Sequence, residues 1–384
     1  MLSEPQTRTV RVIDDGAAIE VDFGSARHRF HAIWLRDNAQ DAATRSPGNG
    51  QRLITLNDVP ADTRVADARW QGDDLVLHFA PEGREIAHAA PWLLDNAYDH
   101  APAPAARGWT GPGITRWDAA LGDDLPVADH GAVCADPAAR LSWLRAIARL
   151  GFARLTGCPV TPGVPIALAG LFGHVRQTNY GAVFDVRVEA NPENLAYTNL
   201  GLQAHTDNPY RDPTPGVQIL ACLTNAAAGG ETLLIDGFSV AARLQAEDPA
   251  AFDILTRYCA RFAYAGTPDV RLEAKAPLIE LGVDGELRGV RFNNRSAAPL
   301  RDVPYDLVPD WYRACRRMAD LIEDPALAVR FRLNPGEAIV FDNLRVLHAR
   351  TAITGAGSRH LQGCYVDRDG LHSTIAVLER ALGC

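Results

Sequence analysis

The chain has 384 residues, 47% of them apolar and 22% charged, with a formal net charge of −9. That length points to two domains rather than one, and the composition is that of a globular chain able to bury a large core. An acidic balance without a Lys/Arg block argues against non-specific nucleic-acid binding, and no apolar run approaches the length of a membrane span. The seven cysteines are odd in number and never form a C-x-x-C pair, which suits reduced thiols better than a disulfide framework. The N-terminus lacks the apolar core of a signal peptide. A cytoplasmic protein is expected.

Residues 9–100 read as a small β-rich unit. Val10–Ile13, Ala18–Phe23, Arg52–Leu56, Ala66–Trp70 and Asp74–Phe79 are short, partly alternating runs divided by turn signals such as Asp15-Gly16. Trp34-Leu-Arg-Asp-Asn38 and Trp92-Leu-Leu-Asp-Asn96 are similar pentads, with no longer repeat visible around them, and their Trp-Leu pairs read as core anchors. Residues 101–125 have a linker's composition, with Trp109 and Trp117 packing it down.

From Asp136-Pro137, an N-cap and first-turn pair, helical spacing of apolar residues predicts a helix that Gly151 ends. Phe152–Leu155 follows as a strand, Ile166–Arg176 as a second helix, and Tyr180–Val188 as a loop entering a strand. Strands are expected at Val217–Leu223 and Glu231–Asp236, then helices at Ser239–Leu244 and Pro249–Tyr258. Further strands are expected at Pro277–Leu281, Leu287–Phe292, Val329–Leu333 and Ala338–Phe341, with a helix at about Pro309–Glu323 between the middle pair. Arg359–Asp367 reads as the last strand and Ser373–Leu382 as the last helix.

The chemistry-bearing pattern is His205-Thr-Asp207 at the end of an apolar, strand-like segment. Residues i and i+2 share one face of a strand, so both side chains can point at one metal ion. A third ligand is needed, and late in the chain only His348, His360 and His372 are available. Of these, only His348 ends an apolar run that follows the turn Asn334-Pro-Gly336. Two His and one carboxylate make the facial triad of non-haem Fe(II) oxygenases. Arg359, one short hairpin further on, suits bidentate capture of a carboxylate, with Arg350 and Arg345 next in line. Strands dominate after residue 150, which favours a double-sheet jelly roll with the site between its sheets. Two rivals share these donors: a metal-dependent hydrolase or isomerase on a cupin-like barrel, and a non-catalytic protein that binds a small cation. The first leaves Arg359 without a purpose.

Together with Gly229-Gly-Glu-Thr232, Phe341-Asp-Asn343 and Arg359-His-Leu-Gln-Gly-Cys-Tyr365, these motifs resemble the gamma-butyrobetaine hydroxylase branch of the Fe(II)/2-oxoglutarate oxygenases, a branch related to taurine dioxygenase. The resemblance covers nearly the whole chain. It implies a mainly β protein with α insertions: a double-stranded β-helix (jelly roll) over residues 126–384, preceded by a small β-rich N-terminal domain over residues 1–100. It implies Fe(II) on His205, Asp207 and His348, O2 as oxidant, and 2-oxoglutarate held at its distal carboxylate by Arg359 and Thr232. Carried over by position, Tyr180, Phe184, Tyr197 and Tyr365 would cage a quaternary ammonium group. Asn194 and Asn293 would bond the substrate's acidic end, and Asn208 replaces an aromatic often found just after the metal-binding Asp.

The implied reaction is hydroxylation of gamma-butyrobetaine to carnitine, with trimethylaminoethylphosphonate as runner-up. Arg295 reads either as a surface loop residue or, pointing inward, as a cation that suits a phosphonate. Some relatives bind zinc in the N-terminal domain through three Cys and a later His. Ala39, Asp41, Thr44 and Arg84 stand at those positions here, so no zinc is expected and core packing must hold that domain together. The branch precedent is a homodimer with no nucleic-acid or membrane partner.

Overall fold

The computed structural model describes residues 8–99, 106–187, 201–354 and 357–384. Contacts divide the chain into two units, Met1–Ala103 and Pro104–Cys384.

In the first unit, Thr9–Ile13, Ala18–Asp22 and Arg27–His31 form a three-stranded antiparallel sheet that runs into the short helix Ala32–Asp37. Arg64–Gln71, Asp74–Ala80 and Arg84–Ala89 then form a second such sheet that runs into the helix Ala90–Asp95. The two Trp-Leu pentads are therefore the ends of a larger repeat, three strands and a helix made twice. Each pentad closes alike: Asn38 Nδ2 donates to the Trp34 carbonyl (3.0 Å) and Asn96 Nδ2 to that of Trp92 (2.8 Å), each carbonyl also accepting the backbone N–H of the same Asn. The Trp34 and Trp92 rings pack 5.5 Å apart, beside a core of Ile19, Phe30, Leu35, Leu77, Phe79 and Leu93.

Two strands of this repeat, Arg-His-Arg-Phe-His and Arg-Glu-Ile-Ala-His-Ala, carry too many polar side chains for alternation to mark them. Arg52–Leu56 is not a strand. Thr55 and Asp58 form a reciprocal capping box that opens a 3-10 turn at Leu56–Asp58, and Leu53 and Leu56 are exposed. At the positions where relatives hold zinc, Arg84 pairs with Asp41. The buried Arg36 forks onto Glu82 (2.6 and 2.9 Å) and reaches the Thr44 hydroxyl. Burial opposes the charge on Asp41, but the Thr44 hydroxyl and Arg84 outweigh it and lower its pKa. The side chains at these four positions include no thiolate or imidazole and do not fit zinc. Ion pairs supplement the core there.

The second unit has two principal sheets among its described residues. The larger runs Val127–Asp129, Phe152–Thr156, Ala338–Asp342, Val217–Asn225, Arg359–Val366, Phe184–Arg187. The smaller runs Leu202–His205, Val346–Arg350, Thr232–Asp236, Ala328–Phe331. Side chains from both, including Cys222, Phe341 and Leu361 with Leu234, Phe331 and Val346, share one apolar core. Helices Pro137–Leu150, Val164–Ala169 and Arg368–Leu382 pack apolar residues against the larger sheet. The first is capped by Asp136, which accepts from Ala138 N at 2.9 Å, and it stops at the left-handed Gly151. The second is shorter than its apolar run suggests and ends at Gly170.

Between Thr232–Asp236 and Ala328–Phe331 lies a large insertion. It holds the helices Gly237–Glu247, Pro249–Arg257 and Val308–Ile322, and a hairpin of Cys259–Thr267 with Val270–Pro277 that the hydrophobic pattern did not reveal. Residues 106–125, linker-like in composition, are packed down: Trp117 Nε1 donates to the Leu150 carbonyl (2.6 Å), and its ring meets Phe152 edge-on at 5.1 Å. No helix among the described residues is long and apolar enough to cross a membrane.

The run leading to His348 is two strands, not one. Ala338–Asp342 belongs to the larger sheet and Val346–Arg350 to the smaller, and the turn 343–345 carries the chain across. Arg345 anchors that turn: fully buried, it forks onto Asp236 (3.0 Å twice) and donates to the carbonyls of Arg149 and Thr115. A buried pair with four of the guanidinium's five N–H groups engaged is costly to break from one side. Arg345 is thus committed to structure rather than to a ligand.

His88 yields the first prediction. It is fully buried in the N-terminal unit, beside Trp92, and neither ring nitrogen has a partner among the described residues. Burial pushes its pKa down from 6.5 to about 4. The folded state therefore resists protonation. Stability is complete above pH 6.5 and is lost as pH falls from 6.5 toward 4, by about 3 kcal/mol at the limit. Denaturant midpoints followed by tryptophan fluorescence should fall over that window in the parent, and the fall should be smaller by that amount in His88→Leu. Parallel pH profiles for the two proteins would refute the assignment.

Candidate active site

The period of two in paired strands decides which side chains meet. His205 and His348 sit directly opposite one another on adjacent antiparallel strands, so both imidazoles leave the sheet on one side, with ring centroids 4.2 Å apart. Asp207 follows two residues after His205, and His205, Asp207 and His348 each offer a ligand atom within 4.8 Å of the others. His205 Nδ1–H donates to the Gln203 carbonyl (2.8 Å), and its Nε2 faces Asp207 Oδ1 at 3.3 Å. His348 Nε2 lies 3.7 Å from Asp207 Oδ2.

The opposite sheet completes the arrangement. Gln218 and Tyr365 are cross-strand partners in the larger sheet, and both donate to Asp207 Oδ2, at 2.9 and 3.1 Å. Asn343, in the crossing turn, accepts from Asp207 N (2.6 Å) and donates to the carbonyls of Asp207 (2.9 Å) and Pro215 (3.0 Å). Burial disfavours charge on Asp207, but His205, His348 and Arg295 outweigh it and hold the carboxyl far below its usual range. Burial, then His205, pushes His348 down to about 3, so that ring is neutral. Two imidazoles and a carboxylate, fixed from behind, are a donor set for a divalent transition metal.

These groups open into a cavity of about 350 Å³. Alternate residues of Arg359–Val366 line it, namely Arg359, Leu361 and Tyr365, as do Thr232 and Arg350 from the smaller sheet. Arg359 is buried, and its Nε has no hydrogen-bond partner among the described residues. A Cβ on Gly230 would come within 3.2–3.3 Å of the Arg359 side chain, so the Gly-Gly-Glu-Thr motif leaves room for the guanidinium. Burial, then Arg359 and Arg295, lowers the pKa of Arg350 to about 10, which still leaves it a cation at neutral pH. Phe184 stacks on Tyr365 at 5.0 Å, and it can do so because its cross-strand partner is Gly363, where a Cβ would strike the Phe184 ring at 2.5 Å.

Of the residues singled out from the sequence, His205, Asp207, His348, Thr232, Arg359, Tyr180, Phe184, Asn208, Asn293 and Tyr365 all line this one cavity. Arg295 lines it too. Asn194 and Tyr197 lie outside the described residues. The Asn293 amide is already engaged: Nδ2 donates to the Thr206 carbonyl (3.0 Å), and Oδ1 accepts from Arg295 N and Ser296 N. Sequence reasoning missed Gln218, Tyr210 and Tyr264. Tyr264 comes from the unrecognised strand Cys259–Thr267, whose small residues hide its pattern. Its even positions, Ala260, Phe262 and Tyr264, nevertheless alternate apolar, and that was the available signal.

The comparisons accord with this geometry. The family profile described as "Taurine catabolism dioxygenase TauD, TfdA family" matches residues 119–365. This chain belongs to that family. Among curated proteins, the chain is similar to the gamma-butyrobetaine dioxygenase of Pseudomonas sp. (strain AK-1), at 40% identity over 91% of each chain. It is also similar to the human gamma-butyrobetaine dioxygenase (29%, 91% of each) and to the trimethyllysine dioxygenase of Meyerozyma guilliermondii (30%, 97% of this chain and 96% of that one). The family match begins after the first unit, whereas these relatives extend across it.

The ligand geometry predicts unequal effects on metal binding. His205→Ala, Asp207→Ala and His348→Ala should each abolish stoichiometric Fe(II) or Co(II) binding in an anaerobic titration of the folded protein. Asn343→Ala, which removes only the backbone clamp, should weaken it about 10–100-fold. Native-like affinity in Asn343→Ala would show that the loop holds its shape without the clamp.

Proposed function

We propose that this chain is an Fe(II)- and 2-oxoglutarate-dependent dioxygenase that hydroxylates gamma-butyrobetaine to carnitine. The observation that carries the reading is the meeting of His205, Asp207 and His348 in one cavity with the buried Arg359, whose Nε has no partner among the described residues. The 40% identity to a gamma-butyrobetaine dioxygenase over 91% of both chains supports it. The two principal sheets are then the two faces of a double-stranded β-helix (jelly roll) over residues 126–384. Residues 1–100 are an N-terminal domain, joined to it by residues 101–125, and the working assembly is a homodimer.

The residues present fit both absent groups. Two imidazoles and one carboxylate leave coordination positions open, as Fe(II) chemistry with a cosubstrate requires. An always-charged fork whose Nε lacks a partner among the described residues, lining the same cavity as Thr232, fits the distal carboxylate of 2-oxoglutarate. When bound, iron and 2-oxoglutarate supply the O2-dependent oxidation in which a substrate C–H becomes C–OH and 2-oxoglutarate becomes succinate and carbon dioxide.

The chain's own part is positioning. Gln203 fixes the His205 tautomer, while Gln218 and Tyr365 hold the Asp207 carboxylate in one orientation. Tyr365, its pKa raised by burial and then by Asp207, stays a donor. The stacked Phe184 and Tyr365 rings, with Tyr180, offer π faces to a quaternary ammonium group, each worth about 0.5–2 kcal/mol when desolvated.

Arg295 favours a second reading. It adds a third guanidinium to the cavity beside Arg350 and Arg359, which suits the greater charge of trimethylaminoethylphosphonate. Succinate release with gamma-butyrobetaine, trimethylaminoethylphosphonate, trimethyllysine and taurine in parallel tests both. The greatest stimulation is expected with gamma-butyrobetaine. A faster phosphonate would move the assignment to that substrate, and no stimulation by any organic cation would favour a binding protein.

Arg359 separates cosubstrate from substrate. Arg359→Ala removes a buried, charge-assisted pair worth about 2–5 kcal/mol. The 2-oxoglutarate requirement should rise at least tenfold, while affinity for the organic cation, titrated anaerobically with iron present, should change little. Tyr365→Leu should weaken the cation by a smaller amount. Loss of the cation with 2-oxoglutarate retained in Arg359→Ala would reassign Arg359 to the substrate and leave Arg350 as the carboxylate clamp.

A further inference from the structure

The walls of the cavity have two origins. His205, His348, Thr232, Gln218, Arg359 and Tyr365 stand on the two principal sheets, whose facing fixes the ligand geometry. Ala263, Tyr264, Ala265 and Gly266 come instead from the inserted strand Cys259–Thr267. That strand pairs with Val270–Pro277 and Ala297–Ala298 and, among the described residues, with neither principal sheet. Of these four residues only Tyr264 carries more than a methyl group. Its ring is held on several sides: it stacks on Tyr210 at 5.0 Å, meets Tyr180 edge-on at 5.8 Å, and packs against the apolar cluster that joins the inserted helices. Gly266 leaves room for it, since a Cβ there would come 2.5 Å from the Tyr264 hydroxyl oxygen and 2.6–2.8 Å from two ring carbons. The base of the hairpin is pinned by Arg261 and Lys275, which converge on Asp302, and by the buried Phe262. The ring is a fixed wall.

Size makes that wall matter. At about 350 Å³ the cavity lies near the lower end of the roughly 300–1,000 Å³ usual for a single ligand, yet it must seat an organic cation together with 2-oxoglutarate. Gamma-butyrobetaine and trimethyllysine carry the same cation on carbon chains that differ by two atoms, so room along the chain separates them where the cation cannot. A wall on the principal sheets could not be moved to adjust that room without disturbing the metal donors. A wall on the insertion can.

We infer that Tyr264 determines the length of substrate this chain accepts: the bulk of its ring admits a four-carbon trimethylammonium acid beside 2-oxoglutarate and excludes a six-carbon one. The inference rests on the functional reading above and deepens it. The two sheets hold metal and cosubstrate, and the insertion, through one ring, selects among chain lengths.

The test uses three probes with one cation and one carboxylate: gamma-butyrobetaine and its straight-chain five- and six-carbon homologues. Each is titrated anaerobically into the full-length protein loaded with iron and 2-oxoglutarate. A methylene that a pocket cannot seat costs roughly 10–200-fold, so the parent should bind the six-carbon acid at least about tenfold more weakly than gamma-butyrobetaine. Tyr264→Ala enlarges the cavity by the volume of the ring. It should weaken gamma-butyrobetaine and tighten the six-carbon acid, inverting the preference, while 2-oxoglutarate affinity stays at the parent's value. Tyr264→Phe keeps the bulk and should keep the parent's order. Tyr264→Leu, which retains an apolar contact with the insertion, should move the preference part-way and serves if the alanine variant does not fold. A merely structural role for the ring would weaken all three acids by one factor. A parent without preference among them, a folded truncation variant with the parent's preference, or a Tyr264→Phe variant that shifts as Tyr264→Ala does, overturns this inference alone. Failure of the parent to bind any of the three overturns the functional reading and this inference with it.

Discussion

The Asp207 carboxylate is where the two sheets of the second unit are tied together. His205 and His348 approach it from the smaller sheet, while Gln218 and Tyr365 donate to it from the larger. A half-buried carboxylate needs such compensation, because desolvation raises its pKa. The structure supplies it from both sides, and the neighbouring backbone is fixed by Asn343 from the turn where the chain crosses between sheets. Arg345 and Asp236 secure that same turn from behind. The ligand geometry is thus a property of how the sheets face one another rather than of the loop that carries Asp207.

The metal donors were legible from the sequence because coordination chemistry admits few residue types. Strand geometry places only His205 and His348 on one face; Asp207 lies in a bend just past the strand end at His205, so the expectation that it shares a strand face with His205 does not hold. Arg359 followed from the need for a permanent cation. Arg295 was ambiguous, since its direction depends on a 3-10 turn that Asn293 caps, and cap geometry leaves no mark in hydrophobic periodicity. Tyr210 and Tyr264 were illegible for a different reason. One sits in a turn after Pro209, and the other on a strand whose interspersed Ala and Gly mute its alternation. Their contacts, a Tyr210–Tyr180 hydroxyl pair and the ring packing of Tyr264 on both, join segments distant in sequence.

The N-terminal unit shows the converse. Its pentads announced a likeness between two segments, yet the three-strand repeat around each was hidden because exposed strand positions there carry Arg, His and Glu. What is retained between the copies is the part that does mechanical work: a Trp that packs and an Asn that closes the helix on the Trp carbonyl. In place of a metal, Arg36–Glu82 and Arg84–Asp41 join positions more than forty residues apart in sequence.

The crossing turn also sets an order of assembly. Asn343 and Asp207 are 136 residues apart in sequence, so the clamp is a non-local contact whose loop-closure cost is met only once the later residues are present. A chain still emerging from the ribosome, with His205 and Asp207 exposed but residues beyond 300 not yet made, holds two donors of three and no clamp. Redox-active iron therefore has no tight seat on the unfinished polypeptide. The site comes into being only when the barrier to aberrant oxidation, the closed pair of sheets around it, comes into being with it.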